Sequence, residues 1–75
     1  MACIRPDGTL EPAARSVLKA LALPQTAEEI SRQLRMPVYR VRMSLRELSE
    51  AGLVVGEAEH YRATDAGRIR FAQDP

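Results

Sequence analysis

The fold of this chain is decided by residues 26–64, which read TAEEISRQLRMPVYRVRMSLRELSEAGLVVGEAEHYRAT. Thr26 and Glu29 have the spacing of a capping box, in which each side chain accepts a hydrogen bond from an amide at the start of a helix. Pro37 lacks an amide proton and restricts the residue before it, so a helix that begins at Thr26 must break near Arg35. The stretch therefore predicts two consecutive helices joined by a short turn.

A longer second helix is predicted over residues 37–51, with Gly52 as the left-handed residue that ends it. One of its faces is apolar and consists of Val41, Leu45 and Leu48. The opposite face consists of Tyr39, Met43, Arg46 and Glu50, and its flanks carry Arg40 and Arg42. Two short strands, 53–55 and 60–63, predict a hairpin that turns at residues 56–59.

Two further helices are expected to flank this unit. The first is predicted to begin near Thr9, which would cap it, and to be ended by Pro24, with Leu23 packed inward. Its apolar stripe consists of Leu10, Ala14, Val17, Leu18 and Leu21. The last helix, over residues 66–72, would be capped by Thr64. The predicted fold class is therefore mainly α with a small β-hairpin.

Length and composition favour one small domain, since the chain has 75 residues, of which 45% are hydrophobic and 28% charged. Residues 9–75 are expected to form it, after a flexible lead-in over residues 1–8. The chain contains no apolar run approaching the roughly 20 residues of a membrane span, and it does not begin with a secretion signal. Cys3 is a lone thiol without a disulfide partner or a metal-ligand set. These features favour a cytoplasmic protein that makes no contact with a membrane.

The positive charge is concentrated in one segment, although the formal net charge of the chain is only +1. Residues 31–46 hold five basic residues and no acidic one, whereas residues 47–60 hold four acidic residues and no basic one. A local patch can attract nucleic acid, because phosphate attraction acts over about one Debye length, roughly 8–10 Å. A short helix pair whose second helix carries exposed arginines suits insertion into a DNA major groove. The alternative is an ordinary solvated helix face with ion pairs.

Two runs of this sequence form a recurring pattern, Leu-x-x-Leu-x-x-x-Gly-Leu-Val followed by Tyr-x-x-Thr-x-x-Gly. The matching positions are Ala27, Ile30, Leu34, Val41, Leu45, Leu48, Gly52, Leu53, Val54, Tyr61, Thr64 and Gly67. In these residues the chain resembles the winged helix-turn-helix domains of bacterial transcription regulators, such as the MarR-like and PadR-like groups. The resemblance implies three to four helices with a two-stranded wing, and double-stranded DNA as the partner.

The chain departs from that family pattern at the turn and at the wing. Arg35 stands where such domains usually have glycine, and Pro37 stands where they usually have a serine that caps the recognition helix. The wing tip carries Glu57 and Glu59, whose carboxylates would repel phosphates, so that only Arg62 and the neighbouring histidine could compensate. Wing contact with DNA is therefore not expected to be strong.

The function predicted from these residues is sequence-specific DNA binding in transcription regulation. The predicted DNA-binding residues are Arg32, Arg35, Tyr39, Arg40, Arg42, Met43, Arg46 and Arg62. Arginine can donate two parallel hydrogen bonds to guanine or to a phosphate. Met43 would touch a thymine methyl group or mark a protein-binding surface. The alternative function is therefore a protein–protein interaction adaptor that keeps the fold and does not bind DNA.

An enzyme is not expected, because the sequence offers no nucleophile or acid–base pair that would converge in a cleft. His60 has no metal-ligand set beside it, so that neither a metal nor a cofactor is expected. A DNA-binding monomer of this size would bind weakly, which favours a homodimer through the first and last helices. The residues expected at the dimer surface are Leu10, Ala14, Ile69 and Phe71. A small-molecule ligand is not expected, since the chain leaves little room for a pocket.

Overall fold

The computed structural model describes residues 9–74. The elements are α1 Pro12–Ala20, β1 Gln25–Thr26, α2 Ala27–Leu34, α3 Val38–Glu50, β2 Val54–Glu57, β3 His60–Ala63 and α4 Asp65–Gln73. The predicted fold class, mainly helical with a small β-hairpin, is confirmed. The lead-in predicted over residues 1–8, with Cys3, lies outside the described residues.

One core joins the four helices to the hairpin. The predicted apolar stripes of α1 and α3 are confirmed as buried, and Ile30 of α2 is fully buried between them. The core residues are Leu10, Ala14, Val17, Leu18, Ala20, Leu21, Ala27, Ile30, Val41, Leu45, Leu48, Leu53, Val54 and Ala63. Because Leu10 and Ala14 are 3% and 0% exposed, their predicted place at a dimer surface is wrong.

The first helix differs from its prediction at both ends. It begins at Pro12 rather than near Thr9, because proline fits the first helical position and Glu11 takes the extended conformation of the N-cap. It ends at Ala20, well before Pro24. The prediction that Leu23 packs inward is wrong, since this side chain is 72% exposed in the connection to α2.

The sheet has three strands rather than the two that were predicted. The central strand is β3, which pairs antiparallel with β2 on one side and with β1 on the other. The β2–β3 loop contains only Ala58 and Glu59, both with positive φ angles, so it is tighter than the predicted four-residue turn. The ring of Tyr61 covers Gly56 so closely that a Cβ there would lie 2.8 Å from it.

The last helix is anchored to the end of α3 through Thr64. The Thr64 hydroxyl accepts a hydrogen bond from the Gly67 amide at 3.1 Å, as the predicted cap requires, and donates one to the Gly52 carbonyl at 2.7 Å. The Thr64 amide donates to the Leu53 carbonyl. Gly52 has the predicted left-handed conformation, with a φ of 79°. These bonds fix α4 and the hairpin relative to α3.

Candidate nucleic-acid interface

The turn between α2 and α3 is closed by Ser31 and by a left-handed arginine. Arg35 has a φ of 56°, a conformation that costs little for glycine and more for most residues with a Cβ. The Met36 amide donates to the Ser31 carbonyl at 3.1 Å, and the Ser31 hydroxyl donates to the Met36 carbonyl. The chain therefore breaks where the proline was predicted to break it. The role of Ser31 in this turn could not be predicted from local sequence patterns.

The third helix presents one face to the core and the opposite face to solvent. Val41, Leu45 and Leu48 are buried, as the pattern predicted, and Ser44 is also buried at 5% exposure. Tyr39 and Met43 are 64% and 50% exposed on the outward face. This face is long enough to reach into a groove, because a 13-residue helix extends about 20 Å at roughly 1.5 Å per residue.

Three arginines surround the turn, and we call them the turn arginines: Arg32, Arg35 and Arg40. They lie in the last turn of α2, at the turn itself and in the first turn of α3, and all are exposed. Within residues 9–74 they form no salt bridge. Pro37 provides no side-chain cap for α3, so the positive end of the helix dipole adds to their field. This end of the helix pair is the best placed to meet an anion.

Two other arginines predicted as DNA ligands are held by carboxylates. Arg42 contacts Glu28 of α2, and each of the two side chains is 54% exposed. Arg46 lies 3.7 Å from Glu50 one turn further along α3, and this pair is more exposed still. Exposed pairs of this kind contribute only about 0–1 kcal/mol, so another acceptor can compete for either guanidinium. The Arg42 contact joins residues 14 positions apart, and the helical spacing in the sequence did not indicate it.

The start of α2 is acidic and capped. Thr26 accepts from the Glu29 amide at 3.1 Å, and Glu29 accepts from the Thr26 amide at 2.8 Å, which confirms the predicted capping box. The hydrogen bond from the Thr26 amide holds the pKa of Glu29 below its ordinary value. The first turn of α2 is therefore acidic, and of its two carboxylates it is Glu28 that contacts α3, through Arg42.

The β2–β3 hairpin carries its carboxylates at the tip and its one arginine on the second strand. Glu57, Glu59 and Arg62 are all exposed. His60 lies next to the tip, where one of its ring nitrogens is 3.3 Å from the Ala58 carbonyl oxygen. The hairpin therefore has an acidic tip beside α3. Arg62 is far from the turn arginines along the sequence.

Clefts border the outward face of α3 on both sides. One, of about 380 Å³, lies against the start of α1 and is lined by Glu11, Ala13, Tyr39, Arg40, Met43, Ser44 and Glu47. The other, also about 380 Å³, lies against the hairpin and is lined by Arg42, Leu45, Arg46, Ser49, Glu50 and Tyr61. An apolar cleft of about 270 Å³ lies elsewhere, between α1 and α4. Among the residues that the structure describes, no group of three His, Cys, Asp or Glu side chains could hold a metal ion.

Two helices joined by a tight turn, a second helix with an exposed face and a hairpin beside it define a winged helix domain. A family model described as a helix-turn-helix domain matches residues 9–57, which run from before α1 to the end of β2. The chain therefore belongs to the helix-turn-helix domain family, which is a family of DNA-binding domains rather than of enzymes. No curated protein and no solved structure shows a significant match to it. Within residues 9–74, no helix combines the length and the apolar composition that a membrane crossing requires.

Proposed function

We propose that this chain is a sequence-specific DNA-binding transcription regulator of a bacterial cytoplasm, related in type to the MarR-like and PadR-like domains. The single observation that carries the proposal is the outward face of α3, which is exposed and flanked by three turn arginines that form no salt bridge within residues 9–74. The family match supports DNA as the partner.

In this proposal α3 lies in the major groove and the turn arginines bind the phosphates on either side. Phosphate contacts fix the position of the domain on the duplex, and base contacts select the sequence. Tyr39 and Met43 lie nearest the bases, where the methionine can pack on a thymine methyl group. Arg46 reaches a base edge or a phosphate after exchanging its carboxylate partner, Arg42 reaches the groove from the flank of α3, and Arg62 is the only arginine of the hairpin.

A second copy of the chain is part of the proposal, because few phosphate contacts give dissociation constants of only about 10⁻⁴–10⁻⁶ M at physiological salt. Of the four residues expected at a dimer surface, Leu10 and Ala14 are buried, and the other two lie on α4. Ile69 is 58% exposed on that helix, and Phe71 packs partly against the core. Two copies joined through α4 would place two α3 helices on a two-fold site.

Chemical-shift mapping tests the proposed interface. Uniformly ¹⁵N-labelled protein is titrated with a short mixed-sequence duplex, and the amide shifts are followed through the titration. We expect the largest shifts in residues 31–46, where the turn and the first half of α3 lie. Shifts restricted to α1 and α4, or no shifts at duplex concentrations above about 1 mM, well beyond typical non-specific affinity, would contradict the proposal.

A protein-interaction adaptor is the second candidate function, and the acid groups beside α3 favour it. Glu28 contacts the flank of α3, and Glu57 and Glu59 lie at the hairpin tip. The most exposed apolar residues of the outward face are Tyr39 and Met43. Carboxylates repel DNA and are tolerated at the polar rim of a protein interface, whose core is enriched in tyrosine and methionine. The same titration separates the two functions, because an adaptor would give no shifts with duplex in residues 31–46.

A further inference from the structure

The cross-helix contact between Glu28 and Arg42 is the feature of this interface that the proposed function does not explain. It joins the first turn of α2 to the second turn of α3, and it places a negative charge where a DNA-binding face would be expected to be positive. Both side chains are 54% exposed, so the contact is too weak to be needed for folding alone.

The contact leaves most of the guanidinium free. Arginine has five N–H donors in a planar fork, and Glu28 is contacted through Nη2 of Arg42. The remaining donors of Arg42 can therefore bind a second acceptor in the same plane. The carboxylate also limits the orientations of a long side chain, which lowers the entropy that a further contact would cost.

The carboxylate distinguishes between the two kinds of acceptor that DNA offers. A phosphate is an anion, so a phosphate at Arg42 is repelled by the nearby Glu28 carboxylate. The O6 and N7 atoms of guanine are neutral acceptors that accept two parallel hydrogen bonds from arginine, and they do not meet this repulsion. Glu28 therefore weakens binding of Arg42 to any phosphate more than it weakens binding to a guanine edge.

We propose that Glu28 is a specificity-determining residue that positions Arg42 for a guanine in the major groove and reduces its attraction to the DNA backbone. This inference rests on the proposed function, since it assigns one side chain a part in DNA recognition. It also divides the interface into two parts. The turn arginines supply general phosphate affinity, and the Glu28–Arg42 pair supplies base selection.

The test compares Glu28→Gln with Glu29→Gln. Both variants remove one carboxylate from the first turn of α2, and glutamine at position 29 still suits the capping box. Of these two carboxylates, Glu28 contacts Arg42 and Glu29 binds the Thr26 amide. Binding to a generic duplex is measured from low to physiological salt. Base preference is measured by selection from a randomised duplex pool with each protein.

We expect Glu28→Gln to bind the generic duplex about three- to tenfold more tightly, as an exposed charge at close range allows. Its plot of log K against log salt should steepen by about one, because Arg42 gains a phosphate. The guanine preference selected by the wild type should weaken at one position. Glu29→Gln should leave the affinity, the salt slope and the guanine preference unchanged. Arg42→Ala in the Glu28→Gln background should abolish the gain in affinity.

Two results would overturn the inference and leave the proposed function standing. One is an equal effect of Glu28→Gln and Glu29→Gln, which would reflect total charge alone. The other is that the wild type binds the duplex with a salt-dependent affinity and that neither variant changes this affinity. Wild-type protein that shows no salt-dependent binding to any duplex would overturn the proposed function and this inference together.

Discussion

Arg35 is one of three non-glycine residues with a positive φ within residues 9–74, and it is the one that lies in the proposed interface. Its φ of 56° lies in the left-handed region, which costs a residue with a Cβ about 1–2 kcal/mol. Glycine adopts this conformation without that cost. Strain of this kind at a surface position suggests a function for the side chain. In the proposed interface that function is a phosphate contact next to the start of α3.

Replacing Arg35 by glycine tests this interpretation. We expect the free energy of unfolding to increase by about 0–1 kcal/mol. The relief of strain is partly offset by the greater freedom of glycine in the unfolded chain. Duplex affinity should fall, and the salt slope should decrease by about one. Urea unfolding and fluorescence anisotropy measure the two effects on the same preparation.

Arg35→Asn is the control, since asparagine tolerates the left-handed region and also lacks the charge. It should lose duplex affinity as Arg35→Gly does. If both variants bind DNA as tightly as the wild type, Arg35 is not a phosphate ligand. Loss of stability in Arg35→Gly would show instead that the arginine side chain supports the turn.

At the scale of the elements, the junction of α3, the hairpin and α4 determines where the hairpin lies. Thr64 binds backbone groups of Gly52 and Leu53, and the Gly67 backbone packs directly on the Leu53 carbonyl. A Cβ at Gly67 would lie 2.0 Å from that oxygen, which belongs to backbone and cannot rotate away. The close approach of α4 therefore requires glycine.

Gly67→Ala should lower the free energy of unfolding by about 3 kcal/mol, at the upper end of the cost of overpacking. Gly52→Ala is the matched control. A Cβ at Gly52 would have no atom within 4 Å, so the expected loss is the cost of a positive φ, about 1–2 kcal/mol. Urea unfolding followed by circular dichroism gives both values. Equal losses in the two variants, or a smaller loss for Gly67→Ala, would contradict the packing described at the junction.

The elements that the sequence predicted correctly are those whose signals are local. The capping box at Thr26, the proline break and the glycine stop each depend on residues within a few positions, and the stripe of α3 depends on a regular period. The third strand was missed because β1 contains two residues and exists only through pairing with β3, far along the chain. A strand so short has no alternation to detect.

The candidate site was less predictable than the fold. The positions of Tyr39 and Met43 on the outward face followed from helix geometry, and the structure has both exposed. The pairing of Arg42 with Glu28 could not be predicted from helix geometry, since it depends on how α2 crosses α3. The exposure of Leu23 was also misjudged, because an apolar residue next to a proline can lie outside the core when the helix has already ended.

For the molecule as a whole, charge balance limits the affinity that one copy can reach. The formal net charge is +1, and the carboxylates of α2, α3 and the hairpin lie in the same segments as the arginines of the interface. General phosphate attraction is therefore modest, and the proposed function depends on two copies binding one duplex. The exposed Ile69 on α4 is the apolar residue through which we propose that they meet.

Ile69→Glu tests the second copy. Sedimentation of the wild type with a duplex that contains a two-fold site should show two chains per duplex, bound cooperatively, whereas the variant should bind one at a time and more weakly. Leu23→Glu is the control, because it makes the same kind of change at an apolar residue that is 72% exposed outside α4. One wild-type chain per duplex at saturation would exclude the dimer.

The salt dependence of duplex binding tests the central claim, that the turn arginines are a phosphate-binding surface. Each neutralised phosphate contributes about −0.9 to the slope of log K against log salt, so the three turn arginines should give the wild type a slope of about −3 or steeper. Arg40→Ala should reduce its magnitude by about one, and Lys19→Ala at the end of α1, which lies outside the nucleic-acid interface, should leave it unchanged. A slope near zero, or equal changes in Arg40→Ala and Lys19→Ala, would contradict the account.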